Sequence, residues 1–96
     1  MADFMQAAIE QAKASAARGE VPVGAVVVKQ GVIISNGGNT TFSQNDITGH
    51  AEIVAMRAAA ETLGSPRLTD CDLYVTLEPC TMCAAAISFS RIRRLY

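Results

Sequence analysis

Four residues have types and spacings that can do chemistry together: His50 and Glu52 in "GHAEI", and Cys80 and Cys83 in "LEPCTMCAAA". A Cys-x-x-Cys pair alone is ambiguous between a redox couple, half of a metal site and chance. His50 is the single histidine of the chain. Cys80 and Cys83, at i and i+3 on a helix, project from one face. One imidazole and two thiolates suit Zn²⁺ in a tetrahedral site whose fourth position is open to water, the coordination count of a catalytic zinc. Glu52 lies about 200° around a helix from His50. It therefore does not share the metal, but it can reach a bound water and carry its proton. A thioredoxin-type redox pair competes with this reading, yet such pairs do not usually come with a His-x-Glu upstream. A lone histidine is more often an ordinary surface or core residue, so it is the joint pattern that is specific.

These residues need elements to place them. The pattern predicts a helix from His50 to Leu63, with Ile53, Met56, Ala60 and Leu63 on one side and Gly64-Ser65-Pro66 to end it. Another helix runs from about Cys80 to Ser90, with Pro79 at or just ahead of its first turn. Both motifs thus stand at helix N-termini, where unpaired N–H groups and the helix dipole favour thiolate. Upstream, residues 4–18 read as a helix capped by Asp3 and stopped at Gly19. "VGAVVV" (Val23–Val28) reads as a strand buried on both faces, and "KQG" turns it into Val32–Ser35 as a hairpin. The polar stretch Asn36–Gly49 is long for a connection, a length more often functional than idle. Asp72–Leu77 is a third strand and "RIRRLY", from Arg91, opens a fourth. The order predicts an α/β layered domain with helices on a mixed sheet. Cys71 reads as a buried structural thiol, and Met5, Met56 and Met82 as core.

The 96 residues make one small domain, half of them hydrophobic and under a fifth charged, with a net charge of −1. Such a chain has material for a core, and nothing in its overall charge advertises nucleic acid. "MADFMQ" carries an acid early and lacks a basic n-region followed by an apolar core. No apolar run reaches the length of a membrane span. The expectation is a cytoplasmic protein away from membranes, with reduced thiols, where three cysteines cannot all pair off and the close pair Cys80 and Cys83 favours metal or catalysis over a structural disulfide.

H-x-E followed by P-C-x-x-C is the signature of zinc deaminases that act on nucleobases. "GHAEI" and "VTLEPCTMCAAAIS" resemble the cytidine/deoxycytidylate deaminase-like superfamily and, within it, the bacterial tRNA-specific adenosine deaminases. The likeness runs from "EVPVGAVVV" through "GGNTTFSQNDITGHAE" to "SRIRRLY". It implies a three-layer α/β/α sandwich around a central mixed β-sheet, with residues 1–96 a single zinc-dependent deaminase domain. Relatives continue past "RIRRLY", so the resemblance also implies that the last strand or strands and the C-terminal helices are missing from this chain.

By the family pattern His50, Cys80 and Cys83 hold one zinc per chain and Glu52 is the general acid/base. Zinc would supply an activated water for attack at C6 of adenine. Glu52 would pass one proton to ring N1 and then a second to departing ammonia, leaving inosine at the wobble position of a tRNA anticodon loop. Asn39 matches an asparagine whose amide contacts the flipped purine, although Asn after Gly-Gly is also a good turn residue. The Ala51 N–H is placed to hydrogen-bond the base, and Val21, Pro22 and Val23 wall the pocket or simply pack in the core. The family is typically homodimeric. A guanine deaminase shares much of the pattern and is the nearest rival. A catalytically inactive, zinc-stabilised fragment is the third reading, and the presence of Glu52, which no structural zinc site requires, speaks against it. Gly49 stands where relatives carry alanine and would loosen the approach to the ligand. Arg91, Arg93 and Arg94 form a basic cluster that touches phosphate or, more plainly, a solvated strand face; Glu78 has no assigned role.

Overall fold

The structure, a computed structural model, describes residues 3–96. Helix α1 spans Phe4–Ala17, with the Asp3 carboxylate accepting the Gln6 N–H at 3.0 Å as its N-cap. Arg18 is its C-cap, so the helix ends one residue before the expected limit, and Gly19 turns the chain away at φ 80°. Strand β1 (Gly24–Lys29) and strand β2 (Val32–Gly38) form the expected antiparallel hairpin. Gln30 and Gly31 at its tip both have positive φ, 51° and 77°. That backbone twist matches the twist of the strands it joins.

Strand β2 continues three residues beyond the expected Ser35. Asn36, Gly37 and Gly38 stay paired with Val26, Ala25 and Gly24. This stretch reads as loop because Asn and Gly are poor strand formers, but the packing needs small residues here. A Cβ on Gly37 would meet the Ala55 backbone N at 2.8 Å, and one on Gly38 would collide with Ser15 Oγ. Gly24, opposite, is pressed against the Ala8 carbonyl and the Ala12 amide. Strand β2 is thus the surface on which helices close in, and only glycine lets them.

The chain then enters α2 (Ala51–Leu63), stopped by Gly64 in the left-handed region, followed by β3 (Cys71–Val75), α3 (Thr81–Ser90) and β4 (Arg94–Leu95). The four strands lie in the order β2-β1-β3-β4, with β3–β4 parallel and the other pairs antiparallel. Alternation sorts β1 between two layers. Ala25 and Val27 point to a core with Ala51, Ala55, Met56 and Ala59 of α2, Leu73 and Val75. Val26 and Val28 point to Ala8 of α1, with Phe4, Met5 and Tyr74 packed around them. The result is the expected α/β/α sandwich on a mixed sheet.

Four expectations are corrected. The third strand ends at Val75 and not Leu77, because Thr76 turns to Gly24: its N–H donates to the Gly24 carbonyl and its hydroxyl accepts the Gly24 N–H, both at 3.1 Å. The fourth strand starts at Arg94, since Arg91 caps α3 at φ 64°. Arg93 is held by a two-pronged ion pair with Asp72 at 2.9 and 2.7 Å, so the three arginines do not form one free cluster. Met82 is 36% exposed on α3 and is not core, whereas Met56 and Cys71 are buried as expected.

Candidate metal centre and pocket

His50 and Cys80 are the N-cap residues of α2 and α3, both in extended backbone and neither capping its helix through its side chain. Their side chains are therefore free to point at each other across the interval between the two helices. Cys83, fully buried in the first turn of α3, completes the group. His50 Nδ1 lies 3.6 Å from Cys80 Sγ and 3.4 Å from Cys83 Sγ, and the three donor atoms all fall within 4.8 Å of one another. A tetrahedral zinc with N and S ligands at about 2.0 and 2.3 Å separates N from S by about 3.5 Å. The donor chemistry and the spacing both fit zinc.

The two thiols differ. The N–H groups of Cys83 and Met82 at the start of α3 face Cys80 and hold its pKa below the ordinary thiol value. Burial, then the Glu52 charge and the neighbouring Cys80 sulfur, push the Cys83 thiol well above the ordinary range. The expectation that a helix N-terminus favours thiolate thus holds for Cys80 and fails for Cys83, because desolvation outweighs the helix-end N–H groups. Cys83 becomes a good ligand when a cation offsets its charge.

Beside this triad opens a cavity of about 240 Å³ lined by Val21, Val23, Asn39, His50, Glu52, Leu77, Glu78 and Cys80. Glu52, only 4% exposed, stands in the first turn of α2 with its carboxylate in this wall. Five of the residues singled out in the sequence beyond the thiols meet here: His50, Glu52, Asn39, Val21 and Val23. Pro22 is exposed and outside the wall. Ala51 is wholly buried, and its N–H donates to Asn39 Oδ1 at 2.8 Å, so it does not stand free to meet a base. Leu77 and Glu78 were not anticipated as lining. Their signal was their place between the third strand and Pro79, where a strand end faces the site.

Gly49 does not loosen the site. A Cβ there would come within 2.7 Å of Thr40 Oγ1 and 3.0 Å of the Thr41 N, so the glycine lets the 40–49 loop close tightly on its own base. Among the described residues, no helix is long and apolar enough to cross a membrane.

The whole chain, residues 1–96, matches the family described as the cytidine and deoxycytidylate deaminase zinc-binding region. It is 59% identical over 93 residues to the tRNA-specific adenosine deaminase of Agrobacterium fabrum, and 46% identical over 92 residues to that of Aquifex aeolicus. These alignments cover 97% and 96% of this chain but 61% of each relative, so the chain spans about three fifths of their length. Among solved structures, one from a study of A-to-I editing by tRNA:A34 deaminases superposes at TM-score 0.95 and 59% identity, covering 97% of this chain and 72% of that one. Guanine deaminase from Bacillus subtilis superposes at 0.93 with 42% identity, covering 96% and 59%.

Proposed function

The chain belongs to the cytidine and deoxycytidylate deaminase zinc-binding family, and from that premise we propose that it hydrolyses adenosine to inosine at the wobble position of tRNA. The observation that carries the proposal is the junction of a three-donor zinc site with a buried carboxylate in one pocket wall. A structural zinc needs four protein ligands and no acid beside it. In this reading His50, Cys80 and Cys83 hold one zinc, and residues 1–96 act as one deaminase domain.

Bound there, zinc supplies a water made acidic enough to attack at neutral pH. Glu52 is the proton carrier: it takes one proton of the water and gives it to ring N1, then takes the second from the hydroxyl formed at C6 and gives it to the leaving amine, which departs as ammonia. Its burial keeps bulk water from competing for that proton. Asn39 spends Oδ1 on Ala51, which leaves its Nδ2 as a donor on the pocket side for an acceptor atom of the base. Val21, Val23 and Leu77 give the flat base apolar walls. The cavity lies below the range of about 300–1,000 Å³ common for small-molecule clefts, which suits one base inserted from a larger substrate. An anticodon loop offers such a base at little unstacking cost.

The tRNA substrate is supported by the two deaminases named above, and guanine is the competing substrate, supported by the Bacillus subtilis likeness. The chain works in the cytoplasm as a homodimer in this proposal; the exposed apolar Met82 and Phe89 of α3 offer a surface for pairing. The test is incubation of the zinc-loaded chain with tRNA and, separately, with guanine. Inosine at the wobble position supports the reading, and xanthine without inosine overturns it.

A further inference from the structure

Glu20 is a buried acid that the proposed chemistry does not use. It is 5% exposed, and its neighbours Val21 and Val23 line the pocket. Its carboxylate reaches across to the loop after Asn39, accepting the Phe42 N–H at 3.1 Å and the Ser43 N–H at 2.7 Å. Those two groups begin a helix-like turn, with the Gln44 N–H donating to the Thr40 carbonyl and the Asp46 N–H to the Thr41 carbonyl. N–H groups at the start of such a turn have no partner within it. Glu20 supplies one from a distant part of the chain, as a remote cap.

The loop it caps frames His50. The Thr40 N–H donates to the Gly49 carbonyl at 2.8 Å, and the Ala51 N–H donates to Asn39 Oδ1 at 2.8 Å. The residues on both sides of His50 are therefore tied to the Asn39–Thr40 pair, directly ahead of the turn that Glu20 holds. Among the described residues, the hydrogen-bond partners of the His50 ring are the two cysteine sulfurs. A metal-binding imidazole is usually oriented by a partner on its other nitrogen. Here the backbone on either side must do that task.

We propose that Glu20 is a positioning residue for the metal centre, acting through the 40–49 loop to fix the backbone that aims His50. The metal part of this inference rests on the zinc reading above. The link from Glu20 to Ala51 does not, so the test reads both.

In Glu20→Gln the amide can accept one of the two N–H groups, and its NH₂ then faces the other. Co²⁺ alone is titrated into the metal-free chain at a temperature where circular dichroism shows wild type and variant equally folded. Amide hydrogen exchange is followed without metal. The expected result is Co²⁺ affinity about tenfold weaker, the low end for outer partners of a metal site, with a changed ligand-field spectrum. Protection of the Ala51 N–H should fall about tenfold as well, with β1 and β3 unchanged. Loss of protection at Phe42 and Ser43 alone, with Ala51 protection, Co²⁺ affinity and spectrum as in wild type, would overturn the proposal. Should the wild-type chain bind no Co²⁺, the zinc reading fails, and Ala51 protection alone decides for or against Glu20. If Glu20→Gln does not fold, Glu20→Asp, which keeps the charge but is too short for both N–H groups, is put through the same measurements.

Discussion

The Asn39 side-chain oxygen sits 2.8 Å from the Ala51 N–H, joining the end of β2 to the first residue of α2. Residue 39 thus does two things at once. It caps the helix that carries Glu52, and it presents the rest of its amide to the pocket.

Those two roles can be separated. Asn39→Ala leaves the Ala51 N–H buried without a partner, which costs about 1–3 kcal/mol. Asn39→Asp keeps an acceptor at a helix N-terminus and should stay within about 1 kcal/mol of wild type. It loses the NH₂ donor, so turnover should drop in both variants. Urea unfolding curves and inosine formation, measured side by side, check the split.

Glu52→Ala should retain one zinc per chain while turnover falls by about 10²–10⁴-fold, the usual contribution of a positioned acid/base. Cys83→Ala should lose the metal. Zinc content after dialysis, set against inosine formation, distinguishes the two. A Glu52→Ala chain that remained active would sink the proton-carrier assignment.

The thiols should react unequally. In the metal-free chain Cys80 is exposed with a lowered pKa, whereas Cys71 and Cys83 are buried with raised ones. Brief iodoacetamide treatment near neutral pH should alkylate Cys80 alone. Zinc should protect it. Peptide mass spectrometry reads the site.

Two opposite pH trends follow from the same burial. Zinc and cobalt take thiolates, so binding expels the proton of Cys83, and affinity should rise about tenfold per pH unit for each proton released. For the metal-free fold the sign reverses. Unfolded thiols ionise near pH 8.5, while Cys83 and Cys71 remain protonated in the folded chain because desolvation raises both. The unfolded state then binds fewer protons, and stability falls as pH climbs above about 8.5. Metal titrations across pH 6–8 and melting temperatures across pH 7–10 test the pair.

Gly24→Ala should be among the most damaging single changes. The new methyl would be driven into the Ala8 carbonyl and the Ala12 amide, which are main-chain atoms of α1 and cannot rotate aside. Overpacking of this kind costs about 1–3 kcal/mol and sometimes more. Denaturant midpoints against wild type would show it.

Much of the fold was legible because its signals are local. Asp3 and Gly19 mark the ends of α1, the Val23–Val28 run can only be buried on both faces, and Gly64 stops α2. The misreadings share one cause. Asn36-Gly37-Gly38 looks like loop by propensity, yet it is strand because two helices press on it, and a contact between distant segments leaves no local trace. The same holds for Arg93, whose partner Asp72 lies on β3, twenty-one residues away in the chain, and for Met82, whose exposure depends on which face of α3 meets α2.

The sequence by itself determined the chemistry: one histidine, a glutamate two residues on and a Cys-x-x-Cys after proline restrict the site to a narrow set of donors and reactions. Only the tertiary structure decided how those groups stand. It placed His50 Nδ1 within 3.6 Å of both sulfurs, set the two thiols apart by burial, turned the Ala51 N–H toward Asn39 and brought Glu20 to the loop. Donor identity is a property of side chains taken one at a time. Distance, desolvation and hydrogen-bond partnership belong to pairs that only the folded chain brings together.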